Sequence, residues 1–157
     1  MKVSVRSVAF CVAGTALAAG LLTTPAAAQS PGPTTPTTTV TVHHRGDGTP
    51  VPAQLGNPSE WGVVTVTAGV AAGPAEVDEC TNPSAGGTWC YGWYLSTSGG
   101  QTLKKCYSNY YHPSQYHTST AEMNGDTDRS GAVAGDVSQA SIRAGLIYRC
   151  STYYAVY

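Results

Sequence analysis

The aromatic residues of this chain are concentrated after Cys80, and this distribution limits where a core can form. All ten tyrosines and two of the three tryptophans lie between Cys80 and Tyr157. Aromatic side chains bury large areas and favour strands. No apolar stripe with the period of a helix extends over about 11 residues here. The second half of the chain is therefore expected to form one all-β domain.

Turn residues divide this half into short segments. Ser98-Gly99-Gly100, His112-Pro113, Asn124-Gly125 and Gly145 separate them. The predicted strands are residues 88–95, 103–112, 115–123, 130–136, 137–143 and 146–156. Asn124-Gly125 can adopt the positive φ values of a tight hairpin turn. Short strands at this regular spacing predict an antiparallel sandwich or barrel.

The first 28 residues have the three parts of a secretory signal peptide. Lys2 and Arg6 give a basic start, residues 8–22 an apolar stretch, and residues 26–28 a run of alanines for cleavage after Ala28. A retained membrane anchor is the alternative, but Thr and Gly residues and Pro25 interrupt the apolar run. We expect a secreted protein that does not span a membrane after cleavage.

Residues 29–79 differ in composition from the tyrosine-rich half. They are rich in Pro and Thr at the start, and His43-His44 and several Gly and Pro residues follow. We expect a largely irregular leader, with one possible strand at 61–70, where valines and threonines alternate. The predicted organisation is a signal peptide over 1–28, this leader over 29–79, and a β-domain over 80–157.

Four cysteines remain after the signal peptide, namely Cys80, Cys90, Cys106 and Cys150. An even number of cysteines in an exported chain predicts two disulfides. A structural zinc site is the alternative, but the spacing lacks the close C-x2-C pairs that such sites use. The sequence allows three pairings. We favour Cys90 with Cys106 across neighbouring strands, and Cys80 with Cys150 across the two ends of the domain.

Charge and motifs argue against several classes of function. Without Lys2 and Arg6, six basic residues face nine acidic ones, a net charge of −3, which does not favour binding to nucleic acid. Residues 126–131 imitate the start of a calcium loop, but position twelve is Val137 instead of glutamate. Familiar catalytic motifs are missing. We expect a protein that is not an enzyme and has no metal site and no cofactor.

The second half contains an ordered series of short sequence blocks. They are, in order, GGTWCYG at 86–92, CYSNYYHPS at 106–114, HTST at 117–120, RSG at 129–131, AG at 134–135, SQAS at 138–141 and YY at 153–154. Together these blocks resemble the lactococcin 972 family of bacteriocins. The resemblance covers about residues 86–157. The four cysteines and the long leader depart from the family's usual pattern, so that this chain resembles a cysteine-containing member.

The resemblance implies a fold and a function. The fold is a small β-sandwich of two antiparallel sheets. The function is that of an exported bacteriocin, which binds the lipid-linked cell-wall precursor lipid II and blocks septum formation without opening pores. Possible partners are this precursor or another envelope component of target bacteria, and membrane proteins for export or immunity.

Alternation along residues 107–112 predicts two different faces. Tyr107, Asn109 and Tyr111 are expected on one side of a strand, and Ser108, Tyr110 and His112 on the other. One face fills the core and the other presents polar groups to sugar or peptide. The alternative for each tyrosine is packing within the core.

A pyrophosphate ligand attracts cations and imidazolium groups. His112 and His117 are candidates for such a contact, and so are Lys104, Lys105 and Arg143, with Arg129 preferred because it follows a turn and lies in the RSG block. A solvated surface position is the alternative for each cation. The predicted ligand-binding residues are Tyr107, Asn109, Tyr111, His112, His117 and Arg129.

Three functions of different classes remain open at this point. The first is a secreted bacteriocin that acts by binding, since the mature sequence offers no membrane-length apolar segment for a pore. The second is a non-toxic surface-binding or structural β-domain. An inhibitor of an extracellular enzyme is a third class.

Overall fold

The computed structural model describes residues 38–66 and 76–157, which form nine strands and one short 3-10 helix at Ala53–Leu55. The strands are β1 (Val40–His44), β2 (Glu60–Val66), β3 (Val77–Thr81), β4 (Thr88–Ser98), β5 (Gln101–Tyr111), β6 (His117–Met123), β7 (Asp126–Ala132), β8 (Val137–Ala144) and β9 (Cys150–Val156). The predicted signal peptide lies outside the described residues.

The strands form two antiparallel sheets. The five-stranded sheet has the order β1-β2-β9-β6-β7, and the four-stranded sheet has the order β3-β4-β5-β8. Buried apolar side chains from both sheets make one continuous cluster between them. The predicted all-β sandwich of two antiparallel sheets with two disulfides is confirmed.

All six strands predicted after Cys80 are present, with shifted ends. The largest shifts concern β7 and β9. β7 begins at Asp126 and not at residue 130, directly after the turn in which Asn124 and Gly125 have φ values of 57° and 82°. Its first four residues are exposed, so hydrophobic alternation could not reveal them. β9 begins at Cys150 because the apolar residues 146–147 lie in a turn.

The expectation of irregular structure at 40–44 is wrong, because this segment is strand β1 at the edge of the five-stranded sheet. The possible strand at 61–70 is confirmed over residues 61–66, and residues 67–70 lie outside the described part of the chain. Both β1 and β2 join the sheet by antiparallel pairing. Val64 lies opposite Val40 on one side and Thr152 on the other. These pairings are with distant segments, and local composition does not encode them.

The core is mostly aromatic. The Trp89 ring lies 4.9 Å from the Tyr154 ring, and the Tyr110 ring lies 5.0 Å from the same Tyr154 ring, so that one tyrosine of β9 joins two strands of the opposite sheet. A Cβ on Gly62 would overlap the Tyr154 ring. Glycine at this position therefore makes the space in which the ring packs.

Several polar groups inside the sandwich have hydrogen-bond partners, both between the sheets and within one sheet. The Glu60 carboxylate is buried, and it accepts hydrogen bonds from Tyr154 Oη at 2.7 Å, Ser84 Oγ at 2.6 Å and the Ala85 amide at 3.1 Å. The Trp89 indole donates to Ser108 Oγ at 2.9 Å. Such partners offset the loss of hydration on burial and fix the positions of the rings.

The favoured disulfide pairing is wrong. The bonds are Cys80–Cys90, between β3 and β4, and Cys106–Cys150, between the two sheets. On the paired strands β4 and β5, Cys106 lies opposite Trp93 and points into the core, whereas Cys90 lies opposite Asn109 on the other face. Cys90 and Cys106 are therefore on opposite sides of one sheet. With two disulfides formed, these thiols are not ligands of a structural zinc ion.

Candidate binding groove

The outer face of the four-stranded sheet carries an open groove of about 670 Å³. We call it the outer groove. Its outward-pointing lining comes from all four strands and consists of Asp78, Tyr94, Lys105, Tyr107, Asn109, Gln139, Ser141 and the Cys80–Cys90 disulfide. Glu76, directly before β3, also lines it. A concave surface with a few converging polar groups is the usual form of a binding site.

Strand register arranges these side chains in rows across the sheet. One row contains Asp78, Gly92, Tyr107 and Ser141, which are consecutive cross-strand partners on β3, β4, β5 and β8. Side chains in such a row point to the same face of the sheet. Gly92 contributes no side chain, so the floor of the groove is lowest at its position.

The side chain of Tyr107 crosses the gap above Gly92. Its hydroxyl donates a hydrogen bond to Asp78 Oδ1, although β3 and β5 are separated by β4. Two strand spacings amount to about 10 Å, so the phenol ring must extend along the floor of the groove. Burial, followed by the hydrogen bond to Asp78, raises the pKa of the Tyr107 hydroxyl. Tyr107 therefore stays a neutral donor and offers its ring face to the groove.

A second row on β4, β5 and β8 is cationic and aromatic. It contains Tyr94, Lys105 and Arg143. Lys105 Nζ lies 5.5 Å from the centre of the Tyr94 ring, and the Tyr94 ring lies 5.9 Å from the Tyr107 ring. A cation above an aromatic face is held in place by the charge distribution of the ring. This end of the groove presents Lys105 beside two aromatic rings, with Arg143 next to Lys105 in the row. The Glu76 carboxylate, which accepts a hydrogen bond from the Leu95 amide, lies on the β3 side of the same end.

A third row joins the disulfide to two amides. Cys80 lies opposite Cys90, Cys90 opposite Asn109, and Asn109 opposite Gln139. Primary amides donate and accept hydrogen bonds at once. The row therefore suits sugar hydroxyl groups, acetamido groups or peptide bonds.

Three of the six predicted ligand-binding residues lie on this face. Tyr107, Asn109 and Tyr111 alternate with the buried Ser108 and Tyr110, as the sequence predicted. Tyr107 and Asn109 line the groove, and Tyr111 is 39% exposed on the next row, opposite Thr88 and Val137.

The two predicted histidines are core residues, which corrects their expected position on a surface. His112 and His117 are 1% and 0% exposed. His112 Nε2 lies 2.9 Å from the Ala85 carbonyl oxygen, and its Nδ1 accepts from the Gln115 amide at 3.0 Å. His117 Nδ1 lies 2.9 Å from the Gln115 carbonyl oxygen. Both rings hold the turn between β5 and β6, and burial keeps them from a ligand in the groove.

Arg129 is exposed but lies on the five-stranded sheet. Its guanidinium donates to Tyr157 Oη at 2.8 Å, so it does not converge with the residues of the outer groove. Lys104, another candidate cation, points inward and donates from Nζ to the Tyr148 carbonyl at 2.8 Å. Burial lowers the pKa of Lys104. Lys105 and Arg143 are the candidate cations on the outer face.

Sequence reasoning missed the contributions of Asp78, Tyr94 and Gln139 to this groove. Asp78 lies in the expected leader, and Tyr94 and Gln139 lie in predicted strands for which the sequence pattern does not give the neighbouring strand. Alternation gives the face of each residue once the strand order β3-β4-β5-β8 is known. The missing information was the neighbour of each strand, not its period.

The architecture defines a class of protein. It is a small disulfide-linked β-sandwich that presents an open polar and aromatic groove, as binding proteins do. A family model described as Bacteriocin (Lactococcin_972) matches residues 85–154. The resemblance to the lactococcin 972 bacteriocins is therefore confirmed over this part of the chain. A search of curated proteins and a search of solved structures found no match.

The matched region contains β4 to β8 and most of β9. It includes the groove residues of β4, β5 and β8, whereas Asp78 and Cys80 on β3 precede it. The family match supports a role as a bacteriocin, which is generally a secreted and non-enzymatic protein. Within the described ranges, no helix has the length and apolar character needed to cross a membrane.

Proposed function

We propose that this protein is a secreted bacteriocin that binds lipid II on target bacteria through the outer groove. Bound precursor is withheld from wall and septum synthesis, and no pore is formed. The family match supports the bacteriocin role. The observation that carries the choice of site is the row of Asp78, Gly92, Tyr107 and Ser141, which makes a recess on an otherwise regular sheet.

The chemistry of the groove fits the parts of such a precursor. The faces of Tyr94 and Tyr107 suit the apolar side of a sugar ring. Asn109 and Gln139 suit acetamido groups and the peptide stem. Lys105 and Arg143, in one row, suit a pyrophosphate.

The proposed contacts with pyrophosphate, sugar and peptide follow one another along the strands of the groove. The cationic row is two residues from Tyr107 and four from Asn109 along β5, so successive rows on the same face are about 7 Å apart. A pyrophosphate at Lys105 therefore places an attached sugar over Tyr107 and further groups over Asn109. The order of Lys105, Tyr107 and Asn109 along β5 therefore matches the order of the pyrophosphate, the sugar and the further groups along the precursor.

The decisive experiment is a titration of mature, oxidised protein with lipid II and with its pyrophosphate-free analogue. Asn109→Ala and Lys105→Gln are expected to weaken lipid II binding about tenfold each, since each removes one hydrogen-bonding or charged contact. Lys105→Gln should have no further effect on the analogue, because its partner is missing there.

Arg129→Ala is the matched control, since Arg129 is an exposed cation on the other sheet. Its affinity for lipid II is expected to equal that of the wild type. A loss in Arg129→Ala comparable with that in Lys105→Gln would contradict the assignment of the groove. Equally weak binding of all proteins to both ligands would contradict the precursor as target.

Growth inhibition separates this proposal from a non-toxic surface-binding domain. The purified oxidised protein is expected to inhibit related bacteria, and Asn109→Ala to inhibit them less. Saturable binding to cells without inhibition would favour the alternative.

A further inference from the structure

The turn between β8 and β9 exposes two adjacent aliphatic side chains. The Tyr148 amide donates to the Gly145 carbonyl at 3.2 Å, which closes a four-residue turn with Leu146 and Ile147 at its corner. Leu146 is 48% exposed and Ile147 is 89% exposed. Corner positions of turns are usually occupied by Gly, Pro, Asn, Asp or Ser. Two exposed aliphatic residues there are unfavourable in water, because their apolar surface stays hydrated. A partner that buries this surface would remove the cost.

The turn is fixed on the sandwich, so these side chains cannot fold back into the core. Lys104 Nζ donates to the Tyr148 carbonyl at 2.8 Å and lies 4.7 Å from the centre of the Trp93 ring. Tyr148 packs against the main core cluster. The C-terminal end of the turn is thereby held, and Ala144 before the turn pairs with Lys104. The β4–β5 hairpin lies at the same end of the sandwich.

Basic residues surround this corner. Arg143 on β8 and Arg149 before β9 are both exposed and flank the turn. Lys105 lies opposite Arg143 on the neighbouring strand. Four acidic groups also lie at this end of the sandwich. Glu76 accepts a hydrogen bond from the Leu95 amide, Asp126 lies in the β6–β7 hairpin, Asp128 accepts from the Ser141 amide at 2.7 Å, and Glu122 lies opposite Ser151. Arg143 and Arg149 are the charged residues nearest to the aliphatic tip along the chain.

We propose that Leu146 and Ile147 insert into the interface of an anionic phospholipid bilayer, with Arg143 and Arg149 on the lipid headgroups. Aliphatic side chains flanked by arginines are the combination by which peripheral proteins bind such surfaces. A convex tip of two residues fits between mobile headgroups, whereas docking to a folded protein requires a broader complementary area. The inference goes beyond the proposed function, because it requires no lipid II.

The position of the turn gives membrane binding a consequence for the groove. The row of Tyr94, Lys105 and Arg143 is the one nearest to the turn, since Ala144, opposite Lys104, is the last residue of β8. Insertion of the tip therefore places the cationic end of the outer groove at the bilayer surface. A pyrophosphate at the membrane surface would meet this end first.

Vesicle binding without lipid II tests the inference. Full-length mature protein is mixed with vesicles of phosphatidylglycerol and phosphatidylcholine, and the bound fraction is measured by co-sedimentation. Ile147→Ser is expected to weaken binding at least about tenfold, because burial of an isoleucine side chain is lost. Arg149→Gln is expected to weaken it roughly fivefold, with a shallower dependence on salt.

Val133→Ser is the matched control. Val133 is also an exposed aliphatic residue, 62% exposed, in the turn between β7 and β8 at the opposite end of the sandwich. This variant is expected to bind vesicles like the wild type. Equal losses in Val133→Ser and Ile147→Ser, or no loss in either, would overturn the inference.

A spectroscopic variant distinguishes insertion from surface adsorption. The three natural tryptophans are buried, so the indole of an Ile147→Trp variant reports on the tip. Its emission is expected to shift to shorter wavelength with anionic vesicles, and no shift would contradict insertion. Dimerisation of the wild type that Ile147→Ser abolishes, without vesicle binding, would also overturn the proposal in favour of a self-association surface. These results do not depend on whether lipid II binds the groove.

Discussion

The two outer faces of the sandwich carry similar aromatic side chains, but the chain covers one face and leaves the other open. The face of the five-stranded sheet carries Trp61, Tyr153 and Tyr157, and the chain covers it with its own segment between β1 and β2, where Leu55 is completely buried. The face of the four-stranded sheet carries Tyr94 and Tyr107 and stays open as the outer groove. Aromatic residues on an outer face thus mark a site only where nothing in the fold covers them.

The covering segment is attached by specific contacts. Tyr157 Oη donates to the Leu55 carbonyl, Gln54 Nε2 donates to Glu122 Oε2 at 3.2 Å, and the Ser59 amide donates to the Val156 carbonyl at 2.7 Å. On the open face, Tyr107 satisfies its hydroxyl with Asp78 and needs no cover. The first face contributes to stability, and the second is available for a ligand.

The largest expected effect on the free energy of unfolding comes from removal of the Cys106–Cys150 disulfide, which links the two sheets. Cys106→Ala/Cys150→Ala removes a bond between the sheets with a sequence separation of 44, worth about 4 kcal/mol by the entropy of loop closure. Cys80→Ala/Cys90→Ala removes a bond with a separation of 10, worth about 3 kcal/mol. Urea denaturation measures both. If removal of Cys80–Cys90 lowered the free energy of unfolding more than removal of Cys106–Cys150, this order would be contradicted.

The next effect tests the covered face alone. Leu55→Ala leaves a cavity beneath the covering segment and is expected to lower the free energy of unfolding by about 3 kcal/mol. Binding to the outer groove should be unchanged in the folded protein, since the mutation lies on the other sheet. Urea denaturation and ligand titration at low temperature give the two readings. Weaker ligand binding with unaltered stability would show that the two faces were assigned the wrong way round.

The open face gives a smaller effect on stability. Tyr107→Phe removes the hydroxyl that donates to the exposed carboxylate of Asp78 and is expected to cost less than about 1 kcal/mol, because water replaces the donor. Ligand affinity is expected to change more than stability does, since the ring loses its tether on the floor of the groove. A destabilisation as large as that of Leu55→Ala would mean that this face is structural.

At neutral pH the smallest effect concerns Tyr153, because it appears only in alkali. Burial and then the neighbouring Glu122 raise the pKa of Tyr153, on the covered face, to about 12 from 10.0. The unfolded chain loses this proton near pH 10 and the folded chain near pH 12, so stability is complete below pH 10 and falls as pH rises between these values. Tyr153→Phe is expected to flatten this fall in the urea midpoint. An unchanged slope would contradict the burial of this phenol.

Local pattern predicted much of the fold, and long-range pairing decided the site. Alternation predicted the two faces of β5, and Asn124-Gly125 predicted the β6–β7 hairpin, because both depend on neighbouring residues. The same pattern placed His112 on the face opposite Tyr107, but its burial depends on Ala85, which is 27 residues away. Arg129 lies in the RSG block of the family resemblance and yet is on the other sheet.

The sequence by itself determined an all-β chain, two disulfides, the shared face of Tyr107, Asn109 and Tyr111, and the likeness to the lactococcin 972 bacteriocins. The tertiary structure alone decided which cysteines pair, that β1 and β2 join the five-stranded sheet, and that four strands assemble the outer groove. The physical reason is that side-chain direction along a strand repeats every two residues, whereas the neighbour of a strand is fixed by register between segments far apart in sequence.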